Sequence, residues 1–218
     1  DGTSIEVRPT PTAAYSVPDS LCVDADVVIV NNSSFSCDNT SDPQYQLYQT
    51  LYYNSIQPEF YYDFGDCTED SIVPTSSQFS TNSFEIVQHS FDSPGIYNLD
   101  FYTTNICTTV TFKDSITIFP PPIVDFTFDS VCFGDITSFF ADVSFQEETL
   151  DTLDCGTIIT VPQGSSNFTY LWNFGDGDSP ETSTTDTTQN PVFEYENPGV
   201  YTVNLTVTDE FGCSENKN

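Results

Sequence analysis

The stretch YDFGDCTED at positions 62–70 recurs as WNFGDGDSP at 172–180, about 110 residues further along. A second pair of anchors keeps the same interval: DSLC at 19–22 and DSVC at 129–132. Two independent anchors at one spacing define an internal repeat, and a repeat of this length implies two units that each bury a core. A third pair, FDSPGIYNLDFY at 91–102 and YENPGVYTVNLT at 195–206, lies slightly closer because the loop after the second Phe-Gly-Asp is shorter. Surface loops change length while the elements beside them hold, so the units are expected to share a fold.

The repeat also sets the expected boundaries. TSIEVRPTP at 3–11 matches DSITIFPPP at 114–122, so residues 1–8 read as the last strand of a preceding copy. Residues 9–119 form the first complete unit and 123–218 the second, whose last strand is expected to be missing. Pro120, Pro121 and Pro122 between them favour extended polyproline II, which would hold the units apart semi-rigidly.

Within each unit the apolar residues alternate. Phe168, Tyr170, Trp172 and Phe174 share one face, and Tyr201, Val203, Leu205 and Val207 interleave with Thr202, Asn204, Thr206 and Thr208. The first unit repeats the pattern with Phe60, Tyr62 and Phe64, then Tyr97, Leu99 and Phe101. Period two means half-buried strands, and many short strands between Gly, Pro, Asn and Asp turns describe an all-β chain of two tandem antiparallel β-sandwiches of immunoglobulin-like type. After Pro94-Gly95 and Pro198-Gly199, Tyr97 and Tyr201 are placed as tyrosine corners, whose hydroxyls bond back to upstream backbone. Leu99 and Val203 stand where an antibody domain has its second cysteine.

The chain carries three Lys and Arg against 33 Asp and Glu, a net charge of −30. Nucleic acid needs clustered cations and is excluded as a partner; an anionic bilayer surface would repel this chain too. No stretch is long and apolar enough to insert into a membrane, and no signal-peptide pattern is present. Seven cysteines lack the paired spacing of a zinc site, so they read as disulfides formed outside the cytoplasm.

Trp172, Asn173, Phe174, Gly175, Asp176 and Gly177, followed by NPVFEYENPGVYTVNLTVTD, closely resemble the PKD (polycystic kidney disease) domain. The family's motif is an aromatic, Asp or Asn, then Phe-Gly-Asp-Gly, with a later Pro-Gly turn and a Gly-x-Tyr-x-Val-x-Leu strand. Tyr62, Asp63, Phe64, Gly65 and Asp66 carry the same motif in the first unit. There Tyr62 replaces the Trp, Cys67 replaces the second Gly, and His89 precedes Phe91 where the family has an H-x-Y. The resemblance implies tandem PKD-type sandwiches in which the aromatic fills the core, the Gly allows a tight turn and the Asp accepts turn amides. The acids at these turns, Asp63, Asp66, Asp176 and Asp178, also offer hard oxygens, so calcium is a candidate ligand. His89, the only histidine, is expected to pack and bond locally rather than to catalyse.

Matching positions in the repeat suggest the pairs Cys22–Cys107 and Cys132–Cys213, with Cys37–Cys67 as a third and Cys155 left over. Similar arrays occur in large secreted and surface proteins of the Bacteroidetes, including gliding-motility adhesins exported by type 9 secretion. The resemblance thus implies the repeat stalk of a surface-anchored adhesin at the bacterial cell surface. Its partners would be neighbouring repeats of the same chain and a surface glycan or protein ligand. An alternative is an ancillary carbohydrate- or protein-binding module of a secreted hydrolase, using Tyr45, Tyr48, Tyr52 and Tyr53. No hydrolase or metal-enzyme motif is present, so an enzyme is not expected.

Overall fold

A computed structural model describes residues 10–34, 58–75, 86–105, 108–129, 131–177 and 184–218. The segment 1–8 read as a strand of a preceding copy lies outside them, as do Cys37, Cys107, Asp178 and the Tyr45–Tyr53 cluster. Every regular element among the described residues is a β-strand.

The first sandwich has two sheets. One joins β1 (Tyr15–Ser16), β3 (Asp26–Asn31) and β6 (Ile86–Ser90) in that order, all antiparallel. The other is built on β7 (Gly95–Thr104), which pairs along its full length with β8 (Thr109–Phe119). On its opposite edge β7 pairs through Asp100–Thr104 with β4 (Glu59–Asp63), which in turn pairs with β5 (Glu69–Ile72). β2 (Ser20–Cys22) adds to the far edge of β8 in parallel, with Ser20 opposite Thr117 and Cys22 opposite Phe119. Val27 and Ile29 of one sheet meet Phe60, Tyr62, Leu99, Phe101, Ile116 and Ile118 of the other. The alternation read from the sequence is this inward face.

The second sandwich repeats the plan with shorter strands. β9 (Ile123–Phe128), β10 (Thr137–Ser144) and β15 (Val192–Phe193) form one sheet. β13 (Phe168–Asn173), β14 (Thr185–Asp186), β16 (Asn204–Asp209) and β17 (Ser214–Lys217) form the other. Phe139, Trp172, Phe174, Leu205 and Val207 are its buried centre.

Two expectations need correction. The last strand of residues 123–218 is not missing: β17 pairs with β16, and Lys217 faces Leu205 as Phe112 faces Phe101 in the first sandwich. β17 therefore corresponds to the first half of β8. Gly95–Leu99 are strand because Asp114–Ile118 pair with them. The matching residues Gly199–Val203 are irregular.

Nor do the prolines hold the units apart. The insertion of the second unit folds as a hairpin of β11 (Thr149–Thr152) and β12 (Ile158–Val161), and Thr160 pairs with Ile96 of the first sandwich. β4 covers only the C-terminal half of β7, and the hairpin occupies the free half of that edge. Ile159 then enters the first core, its Cδ1 packed over Gly95 so closely that a Cβ there would collide with it.

Candidate functional site

The two Phe-Gly-Asp turns are built alike. Asp63 Oδ1 accepts from Gly65 N at 2.9 Å and Asn173 Oδ1 from Gly175 N at 3.0 Å, so Asp and Asn serve equally: each closes an Asx-turn. Gly65 and Gly175 take φ of 74° and 66°, and a Cβ on either would strike the carbonyl oxygen of Asn98 or Thr202. Both the left-handed backbone and the close approach of the neighbouring chain demand Gly.

The aromatic that opens each motif is fully buried. Tyr62 Oη accepts from Asn31 Nδ2 at 3.0 Å, and Trp172 Nε1 donates to Thr188 O at 3.0 Å, so neither polar tip is orphaned. Burial, together with the nearby Tyr15, pushes the Tyr62 phenol well above its ordinary value. Tyr97 Oη donates to Ser93 O at 2.8 Å and Tyr201 Oη to Asn197 O at 2.6 Å, the back-bond of a tyrosine corner. Burial first, then the charges of Asp66, Asp151 and Asp92, push Tyr97 up to about 12.

His89 stacks on Phe64 with centroids 3.9 Å apart, and its Nε2 lies 2.7 Å from Asp66 Oδ2. Asp66 Oδ1 also accepts from Thr68 N at 3.0 Å. Burial would raise the Asp66 carboxyl, but the bonds from His89 and Thr68 hold it below the usual carboxylate range. Asp176 accepts from the amide and the hydroxyl of Thr184, each at 2.7 Å. Its pKa is likewise lowered, those bonds outweighing the effect of burial.

The expected calcium ligands are not gathered. Asp63 and Asp66 sit in one turn and Asp176 in the other, each bonded to its own turn, while Asp178 is outside the described residues. Among the described residues no three His, Cys, Asp or Glu side chains converge as metal ligands.

The cysteines are corrected most. Cys22 bonds Cys213, 191 residues away, and Cys67 bonds Cys155 across 88 residues. Both bridges join the two sandwiches, whereas the repeat-based pairing kept each within its own unit. Cys132 is free and exposed, and Cys37 and Cys107 lie outside the described residues. Cys22 ends β2 beside Phe119, and Phe119 stacks on Phe211 at 3.8 Å, two residues from Cys213. Cys67 is held in the first Phe-Gly-Asp turn at φ 78°, and Cys155 in the β11–β12 turn meets it there.

A signal for the second bridge was present in the sequence. Cys67 replaces a motif Gly in the first unit only, and Cys155 occurs in an insertion of the second only. Two cysteines, each lacking a counterpart in the other copy, are candidates for each other. The junction they close is a cleft of about 440 Å³ bordered by Asp63, Glu69, Asp100, Ile96 and Ile159.

Fold and turn geometry together define an all-β chain of two immunoglobulin-like sandwiches. A family model described as the PKD domain matches residues 149–218, so a PKD domain is found in that part of the chain. The match starts at the β11–β12 hairpin, inside the second sandwich's insertion. No curated protein matches the chain. Among solved structures, the PKD domain of the human VPS10-domain receptor SorCS2 aligns at 15% identity over 55% of this chain and 85% of that one, with a TM-score of 0.35. A carbohydrate-binding module of the β-sandwich superfamily aligns at 10% identity over 97% of this chain and 90% of that one, at 0.37. The four N-terminal immunoglobulin domains of Dscam1 align at 12% identity over 98% of this chain and 46% of that one, at 0.31.

Proposed function

We propose that this chain is a section of the repeat stalk of a large secreted, surface-anchored adhesin. Its function would be non-catalytic, as is typical of PKD domains. It would space and stiffen rather than react. The observation that carries this reading is the covalent junction: Cys22–Cys213 and Cys67–Cys155 cross from one sandwich to the other. Disulfides of this kind suit an oxidising, extracellular setting.

Cys22–Cys213 has a mechanical consequence. Tension applied at the chain ends crosses the bridge from Cys22 to Cys213 and so bypasses β3 to β16, the strands between them. The segment enclosed by the bridge, a sequence separation of 191, is shielded from extension, a reserve of roughly 600–700 Å at 3.3–3.6 Å per residue. The acidic surface opposes collapse of neighbouring units onto one another. In this reading the chain belongs at the bacterial cell surface, as part of an adhesin for attachment or gliding exported by type 9 secretion. Neighbouring repeats would be its partners, and a surface glycan or protein its tip's ligand.

Single-molecule pulling from the two ends provides the test. The oxidised chain should show no unfolding step of that length, and the same chain in reductant should release it. Equal extension in both conditions would remove the mechanical basis of the proposal.

A further inference from the structure

The two bridges between the sandwiches differ in access. Cys213 is 1% exposed and Cys22 is half-buried, and the stacked rings of Phe119 and Phe211 stand beside them. Cys67 and Cys155 are both exposed, and they line the cleft of about 440 Å³ at the junction, where a small molecule can reach their sulfurs. A disulfide opens when a thiolate attacks one sulfur and the other leaves, at a rate set by access and by how well the leaving sulfur bears negative charge. The two sulfurs are not equivalent here. Thr157 Oγ1 lies 3.3 Å from Cys155 Sγ. In the disulfide that sulfur carries no proton, so the hydroxyl is the donor, and its bond strengthens as charge develops on Cys155 Sγ. The hydroxyl thus singles out Cys155 as the leaving sulfur and Cys67 as the one attacked. Charge selects the attacking thiol. Asp63, Glu69 and Asp100 border the cleft, and Asp66 and Asp154 precede the two cysteines in the chain. Asp66 is bonded to His89 and Asp100 to Lys113. An approaching thiolate is itself an anion and is repelled, unless its body carries a positive charge that the carboxylates attract.

We propose that Cys67–Cys155 is a thiol-exchange site, which a small aminothiol opens by attack on Cys67 Sγ. The thiolate's electron pair forms the new S–S bond, and the pair of the old bond leaves with Cys155 Sγ, steadied by the Thr157 hydroxyl. One thiolate is consumed and one is formed, so charge balances. The products are a mixed disulfide on Cys67 and a free thiolate on Cys155, which takes a proton from water. Cys67 stays in its turn while Cys155 sits on the β11–β12 hairpin, so the exchange unpins that hairpin. The pairing of Thr160 with Ile96 and the burial of Ile159 then hold it. Attack by the Cys155 thiolate on the mixed disulfide reverses the step and expels the aminothiol. The bridge is thus a reversible clasp between the sandwiches. Cys22–Cys213 stays closed throughout, so the proposal goes beyond the stalk reading and does not depend on it.

The test treats the oxidised full chain, its free thiols first blocked with iodoacetamide, with cysteamine, quenches with N-ethylmaleimide and maps the peptides by mass spectrometry. The early product should carry cysteamine on Cys67 and maleimide on Cys155, with Cys22–Cys213 intact. Thr157→Val should slow opening about three- to tenfold, the effect of one hydrogen bond to a sulfur gaining charge, and Thr157→Ser should restore the rate. At equal thiolate concentration and low salt, cysteamine should open the bridge at least about fivefold faster than mercaptoacetate, a lead that about 0.5 M sodium chloride removes. Cysteamine on Cys155 rather than Cys67, Cys22–Cys213 opening as fast, Thr157→Val without effect, or mercaptoacetate matching cysteamine at low salt would each overturn the proposal.

Discussion

Phe64 and Phe174 occupy the same place in the two sandwiches, yet His89 covers the first and Phe193 the second. Both partners stack, with centroids 3.9 and 4.2 Å away, so the packing requirement is an aromatic disc of either polarity. The imidazole does something the phenyl ring cannot: it reaches Asp66 and ties the turn to the opposite sheet. In the second sandwich Asp176 accepts from Thr184, and Tyr195 Oη donates to Phe174 O at 3.0 Å. The first turn thus carries two long-range ties, His89–Asp66 and Cys67–Cys155. The copy that departs most from the family motif is the one whose turn is recruited into the junction. The changes weaken the motif as a signature and strengthen the turn as an anchor.

The deepest way to test the likeness of the two cores is to truncate their central aromatics. Trp172→Ala should cost about 3–5 kcal/mol, and Tyr62→Ala a similar amount, measured by denaturant unfolding. Because the hairpin ties the cores together, Ile159→Ala is expected to destabilise the first sandwich although residue 159 belongs to the second unit by sequence. A loss confined to the second sandwich would break the account of the junction. Next in size are the bridges: Cys22→Ser with Cys213→Ser, and Cys67→Ser with Cys155→Ser, should each lower stability by about 2–4 kcal/mol. Only the Cys67 pair should loosen the hairpin, read as faster amide exchange at Ile158–Val161.

Gly65→Ala and Gly175→Ala should each cost at least about 1–2 kcal/mol, since alanine must take the left-handed region and meet a carbonyl. Near-equal losses would confirm that the turns share one geometry despite different covers. The smallest effect is in pH. Asp66 titrates below its unfolded value, so the stability it adds is present at neutral pH and is lost as pH falls through its folded pKa. Asp66→Asn should therefore flatten the fall in melting temperature below about pH 4 more than Asp176→Asn does, because Asp66 is also held by His89. Calcium should raise the melting temperature no more than an equal ionic strength of sodium chloride, since the turn carboxylates are already bonded to amides and hydroxyls.

Much of this was legible in the chain itself. The repeat of Phe-Gly-Asp, the period-two runs and the Pro-Gly-x-Tyr turns depend on contacts within a few residues or on one face of a strand, and local sequence encodes both. They specified two sandwiches, their inward-facing residues, the Gly at each tight turn and the tyrosine back-bonds. The disulfides and the hairpin seated on β7 were decided in three dimensions. Each depends on which edges are left uncovered once the sheets have formed: β4 stops short on β7, so another unit's hairpin completes it. A repeat suggests that like cysteines pair with like, but a disulfide forms between sulfurs that the packed sheets bring within bonding distance, and here those belong to neighbouring sandwiches.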